Sequence, residues 1–161
     1  MNINKLTIIL LAAFIATVAV IAACAKADGV AKVNTDPEGN AVRGFDTVSY
    51  FTGQAPLPGN AKFSIVWNGA KWLFANTENL EKFRQAPESY APQFGGYCSY
   101  ALSHGYTADG DPQAWKIVDG KLYLNYNQKT KEAWEAEQDK LIKQGETNWL
   151  GFQVKKPEHK G

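Results

Sequence analysis

The stretch KFSIVWNGAKWLFA, Lys62 to Ala75, constrains the fold of this 161-residue chain more than any other. Two apolar-rich runs flank Asn68-Gly69. Asn-Gly is the preferred dipeptide of a two-residue type I′ hairpin turn, because both central residues must take positive φ. Centring the turn there pairs Trp67 with Ala70, Ile65 with Trp72 and Phe63 with Phe74. Side chains alternate along a strand, so these residues share one face. Aromatic and β-branched side chains meeting across strands mark that face as turned to a core. WKIVDGKLYLNY, Trp115 to Tyr126, repeats the pattern around Asp119-Gly120. It sets Ile117 opposite Leu122 and Trp115 opposite Leu124, and leaves Lys116, Val118, Lys121 and Tyr123 on the outer face.

Helices are expected after both hairpins. Thr77 to Ala86 opens with a cap-type residue, carries Glu78 in its first turn and sets Leu80 and Phe83 on one face, with Pro87 as the stop. A longer helix starts near Asn127, turns Trp134, Leu141 and Ile142 inward and takes Gly145 as its C-cap. Gly96 to Gly105, GYCSYALSHG, is helix-compatible and bounded by glycines. The expected fold is α+β: a small single domain of two antiparallel β-hairpins packed with two to four helices.

The N-terminus belongs to another kind of segment. Leu6 to Ala23 is an uncharged apolar run after Lys5, the pattern of a secretory signal; its length also suits an uncleaved anchor. The run ends in IAAC, Ile21 to Cys24. This resembles the lipobox of bacterial lipoproteins: an aliphatic residue, two small residues, then the cysteine that receives lipid. The resemblance implies cleavage before Cys24 and acylation of its thiol. Ala25 to Asp28 offers an ordinary cleavage site after Ala27 as the alternative. The expected organisation is a lipoprotein-type signal peptide over 1–23, a polar tether over 24–40, a domain over 41–152 and a charged tail over 153–161. The domain would lie outside the cytoplasm, periplasmic or at the cell surface, held to a membrane through its lipid anchor.

Charge excludes one class of partner. The formal net charge is +1, and removal of residues 1–23 takes Lys5 and no acid, leaving a formally neutral chain with scattered charges. No field is available to attract nucleic acid. The sequence names no protein partner.

The candidate chemistry centres on FGGYCSYALSHGYTADGD, Phe94 to Asp111. It holds Cys98, the one cysteine beyond the leader, and His104, the one histidine before the tail. A closed zinc site needs four Cys or His ligands. The chain offers Cys98, His104 and His159, plus Cys24 if it escapes lipid. A thiolate-rich site is therefore excluded by counting. What remains is a mixed site of Cys98 and His104 with a carboxylate from Asp46, Asp109 or Asp111. ADGDP is no calcium loop, because its twelfth position falls on Gly120. In a helix, residues six apart lie about 240° apart around the axis, so Cys98 and His104 converge only if the helix ends before His104. The same spacing weakens His104 as a base for a nucleophilic Cys98. The bland reading of His104 is a helix-end residue bonded to backbone; that of Cys98 is a shielded small hydrophobe sharing a face with Ala101 and Leu102. No phosphate loop, serine elbow or zinc-protease motif is present. Tyr97, Tyr100, Tyr106 and Tyr123 offer either an aromatic ligand pocket or core packing.

Five blocks in order, GFDTVSYF, WNGAKWLFA, ENLEKF, PESYAPQFGGYCSYAL and IVDGKLYLNYN, resemble a YHS-domain protein of the bacterial secreted type, from about Arg43 to Trp134. The resemblance implies metal binding or metal handling, with a transition metal ion such as copper or zinc as the candidate. Metal-type members end their second strand in Phe-Cys-Ser and carry a second cysteine soon after. Here these positions read Phe74-Ala75-Asn76 and Asn79, so both thiols are missing. The resulting expectation is a non-catalytic module that binds a metal ion or small ligand near Cys98, with Cys98, His104 and Asp109 as the metal set. The alternatives are a thiol-based redox component using Cys98 and a structural accessory domain with no ligand.

Overall fold

The computed structural model describes residues 30–53 and 55–154. Cys24, the signal segment and His159 lie outside them. Two 3₁₀ turns, Val42–Gly44 and Gln93–Gly96, punctuate the chain. The remaining elements run in order as β1 Phe45–Asp46, α1 Ser49–Thr52, β2 Leu57–Pro58, β3 Asn60–Trp67, β4 Ala70–Phe74, α2 Thr77–Gln85, α3 Pro87–Tyr90, α4 Ser99–Ser103, β5 Asp111–Val118, β6 Lys121–Asn125, α5 Gln128–Ala136 and α6 Gln138–Val154. The fold is α+β, with antiparallel hairpins packed against helices as expected. Among the described residues there are three two-stranded sheets and six α-helices, the extra sheet being the short β1–β2 pair. No helix among the described residues is long and apolar enough to cross a membrane.

Both turn dipeptides do what their chemistry demands. Asn68 and Gly69 sit at φ 49° and 79°, Asp119 and Gly120 at 49° and 73°. In the second hairpin Ile117 faces Leu122 and Trp115 faces Leu124. In the first, Trp67 faces Ala70 and Ile65 faces Trp72, but Phe63 does not face Phe74. An irregularity between Asn60 and Ser64 intervenes, and Phe74 pairs with Asn60. It lies beside the close passage of Gly59 over Leu73, where a Cβ on residue 59 would come within 2.5 Å of the Leu73 side chain. The β3 strand must adjust its register to accommodate that approach.

Tyr123 is not on an outer face. β6 lies between two core clusters: Leu122 and Leu124 pack with Trp72, Phe74, Phe83 and Val48, while Tyr123 packs with Phe94, Leu102, Trp134 and Leu141. Strand alternation thus feeds both clusters, and helices α4 to α6 cover the face that the lysines had marked as solvated. The predicted long helix is broken at Glu137, whose φ is −131°. Its second part continues through Gly145 to Val154. Gly145 is therefore no C-cap. It lies under the Phe94 ring, whose Cζ a Cβ at this position would meet at 2.9 Å. The α2 cap is Asn76 and not Thr77: the Asn76 side chain accepts from Asn79 N at 2.9 Å.

Packing extends N-terminal to residue 41. Val33 is buried, Asn34 N donates to Gly95 O at 2.8 Å, and Thr35 bridges to Ala41. The segment 33–36 consequently runs beside the Gln93–Gly96 turn.

Candidate functional site

Asp46 is fully buried, and four donors occupy its carboxylate. Oδ1 accepts from Val48 N at 2.9 Å and from Ser49 N at 3.3 Å; Oδ2 accepts from Ala75 N at 2.9 Å and Asn79 Nδ2 at 2.6 Å. Ala75 and Asn79 are the positions that the resemblance drawn from the sequence set against missing thiols. In this chain they close on a carboxylate instead. A carboxylate whose lone pairs are filled by N–H donors, with no thiol beside it, is a structural tie between α1, β4 and α2.

Cys98, His104 and Asp109 are not assembled. Cys98 is 1% exposed at the N-cap of α4, and its neighbours Ala101 and Leu102 on that helix are buried with it. Its Sγ accepts from Tyr126 N at 3.2 Å and lies 3.9 Å from Asn125 Oδ1. Burial pushes the Cys98 thiol up, despite opposing backbone hydrogen bonds. His104 caps the opposite end of α4 and is exposed; its Nδ1 lies 2.8 Å from Tyr100 O, and its ring stacks on Tyr100 at 4.3 Å. Asp109 is exposed and faces Arg43. Asp111 Oδ1 accepts from Gln113 N at 2.8 Å. Among the described residues no group of three His, Cys, Asp or Glu side chains is placed to hold a metal ion. The donor set expected from the sequence, Cys98, His104 and Asp109, is therefore not brought together. The thiol also lacks what a redox or nucleophilic role needs, exposure and an adjacent base.

Three of the four tyrosines, Tyr97, Tyr100 and Tyr123, pack into one core cluster with Phe94 and Leu102. Tyr97 packs on Trp149, Tyr100 on His104 and Tyr123 on Trp134, and Tyr106 is exposed. They form no common pocket.

What the structure does build near Cys98 is a cleft of about 610 Å³ between two left-handed turns. Val42, Arg43 and Gly44 take φ of 51°, 50° and 77°; Phe94, Gly95 and Gly96 take 56°, 61° and 82°. Positive φ on a β-branched residue is a true outlier, and such strain gathers where a site is being shaped. Arg43, Gly96 and Gly110 line the cleft together with Asn34, Asp36 and Asp109. Gly110 is obligatory, because a Cβ there would stand 2.3 Å from Gly96 O. The missing side chain thus lets the 109–110 segment close against the Gly96 turn and shape one wall of the cleft.

Two charges of opposite sign meet in its lining. Arg43 Nη2 and Asp109 Oδ2 are 4.0 Å apart, with side chains 47% and 64% exposed. A pair this loose and wet is worth little to stability, so a ligand can displace it at low cost. Asp36 is already engaged, accepting from Asn40 N at 2.7 Å and Asn40 Nδ2 at 2.9 Å. Once their pair opens, the Arg43 guanidinium and the Asp109 carboxylate can hold a small molecule that carries both a carboxylate and an ammonium. Of these residues the sequence pointed only to Asp109. Arg43 has no local signature, because nothing in Ala-Val-Arg-Gly announces a left-handed Val-Arg pair.

Residues 48–94 match the model of the YHS domain. No curated protein and no solved structure matches the chain. The matched segment holds α1, the first hairpin, α2 and α3, and ends at Phe94, the first left-handed residue of the second turn.

Proposed function

We propose that this YHS-domain chain is a non-catalytic ligand-binding module of the extracytoplasmic space, held to a membrane by lipid on Cys24, and that its ligand is a small zwitterion that displaces the Arg43–Asp109 pair and engages both residues. The observation that carries this reading is the loose, half-exposed Arg43–Asp109 pair in the lining of a cleft of about 610 Å³. Charge-assisted hydrogen bonds from Arg43 recognise a carboxylate in a forked geometry, and Asp109 accepts from an ammonium. Strain at Val42 and Arg43 supports the same reading, since left-handed backbone on non-glycine residues gathers at ligand sites. The apolar run and IAAC motif support the anchor.

Transition-metal binding at Cys98, His104 and Asp109 is not part of the proposal, because Cys98 and His104 stand at opposite ends of α4 and Asp109 faces an arginine. Calorimetric titration with glycine, and separately with acetate and methylammonium, tests the zwitterion reading. Glycine should bind more tightly than either half-ligand. Arg43→Ala should weaken glycine binding toward the level of methylammonium, and Asp109→Ala toward that of acetate. Equal binding by wild type and both variants, or no heat with glycine, refutes it.

A further inference from the structure

A second cavity, of about 360 Å³, lies on the other side of the 32–36 segment and is walled by three of the chain's five tryptophans: Trp67, Trp72 and Trp149. We infer that it is a carbohydrate site, taking a neutral mono- or disaccharide whose ring stacks on the Trp67 and Trp149 indoles. The inference does not depend on the zwitterion cleft.

Rigidity is the first argument. Trp67 and Trp149 are only half-buried, yet each is fixed by aromatic neighbours. Trp67 meets Trp72 at 5.5 Å and Phe83 at 5.7 Å, and its carbonyl accepts from Trp72 Nε1 at 2.9 Å. Trp149 meets Tyr97 at 6.0 Å and Phe94 at 6.4 Å. Half-exposed indoles held in place are ready-made platforms, and little rotamer freedom is left to lose on binding.

The polar rim selects the ligand class. Asn68, Gln93 and Gln153 contribute amides, each with a donor and an acceptor side; Glu88 and Lys32 add one charge of each sign. An apolar ligand would leave these groups desolvated and unpaired. An anion would meet Glu88, and a simple cation would meet Lys32. A sugar ring matches both features: its C–H face lies on an indole, while its hydroxyls donate to and accept from amides and carboxylate. The volume sits at the small end of ligand sites, which limits the occupant to one or two rings. The walls come from both halves of the chain. Trp67 and Trp72 belong to the first hairpin, and Trp149 to α6, beyond the YHS match.

The test is calorimetry on the full chain, in a detergent without a sugar headgroup, against maltose, cellobiose and N,N′-diacetylchitobiose. Tetramethylammonium and adenosine serve as the competing classes. At least one disaccharide should bind saturably, with a blue shift of tryptophan emission. Trp149→Ala and Gln153→Ala should each weaken it about tenfold or more, with thermal unfolding of Gln153→Ala unchanged. Gln153 is exposed at the rim, so its variant separates binding from folding. No binding of any of the three disaccharides, binding that both variants leave unchanged, or saturable binding of tetramethylammonium or adenosine alone overturns the inference.

Discussion

Replacing Asp46 should cost this domain more than replacing any other of its buried polar side chains. The Asp46 carboxylate is fully buried and has no cationic partner within salt-bridge distance among the described residues; its charge is balanced by four N–H donors alone. Hydrogen bonds to a charged group contribute about 1.5–3 kcal/mol each, and buried donors left unmatched lose their desolvation energy as well. The four are not additive, because they share two oxygens. Asp46→Ala should therefore lower unfolding free energy by about 4 kcal/mol or more, a large part of the roughly 5–15 kcal/mol that holds a small domain. Asp46→Asn keeps the shape but must turn its NH₂ toward two donors, so about 3 kcal/mol should be lost. Urea unfolding, followed by tryptophan fluorescence, measures both. Asn79→Ala should show strong coupling to Asp46→Ala in a double-mutant cycle, since Asn79 Nδ2 makes the shortest of the four bonds at 2.6 Å. An Asp46→Ala variant within about 1 kcal/mol of wild type would refute the view that this carboxylate ties α1, β4 and α2 together.

Two further outcomes rest on the geometry and a third on the N-terminal sequence. Gly145→Ala sets a methyl group 2.9 Å from Phe94 Cζ, and this overpacking should cost about 1–3 kcal/mol by thermal unfolding, against the gain in helix propensity that an exposed site would show. Cys98, Tyr50 and Tyr123 all have their pKa raised by burial, Tyr123 to about 12; folding thus favours their protonated forms. The stability these groups contribute is complete below about pH 8.5 for the thiol and about pH 10 for the tyrosines, and is lost as pH rises through the folded values. Unfolding free energy should fall between about pH 9 and 12, less steeply in Tyr123→Phe, and a flat profile above about pH 10 would contradict the burial. Cells fed an alkyne fatty acid should label the wild-type chain and not Cys24→Ala, whereas a mature N-terminus at Asp28 would place cleavage after Ala27 and remove the anchor.

Legibility in the sequence tracked how local the physics is. Asn68-Gly69 and Asp119-Gly120 declare their turns, because positive φ is a property of the dipeptide itself, and the pairs nearest each turn follow from it. The register fails farther out, at Phe63 and Phe74, where a backbone distant in sequence (Gly59 against Leu73) sets the spacing. Tyr123 shares its strand face with Lys116 and Lys121 and so reads as solvated, although both of its neighbours on β6 are core leucines. Lys116 reaches Glu135 on α5 at 3.2 Å, so its charge marks a helix packed above the sheet and not open water. Nothing in the sequence marks the break at Glu137. Gly145 carries the signature of a helix end, yet its missing Cβ makes room for Phe94. Of the site residues, Asp109 stands in a recognisable loop. Arg43 depends on a strained left-handed turn and lies beyond sequence reasoning.

The lone thiol acquires a meaning from these contacts that neither metal nor redox chemistry supplies. Cys98 Sγ accepts from Tyr126 N, and Asn125 Oδ1 accepts from Tyr100 N at 3.1 Å, so the start of α4 is fastened to the end of β6 by side chains from both partners. From the same residue, Cys98 N donates to Ala108 O at 2.8 Å, and Tyr97 bridges to Asp109. The strand-like run 108–110 is thereby fixed against α4, and Asp109 is presented to Arg43. The Cys98 thiol thus holds α4 to β6, and the main-chain N–H of the same residue holds the run that carries Asp109 into the proposed ligand cleft. Cys98→Ser keeps an acceptor for Tyr126 N but shortens its reach, and Cys98→Ala removes it. Because the thiol holds the residue whose N–H fixes the 108–110 run, Cys98→Ala should weaken glycine binding more than Cys98→Ser does, while Asp109→Ala in the Cys98→Ala background should add less loss than it does in wild type. Glycine binding untouched by Cys98→Ala, in a variant that remains folded, would confine the thiol to the core.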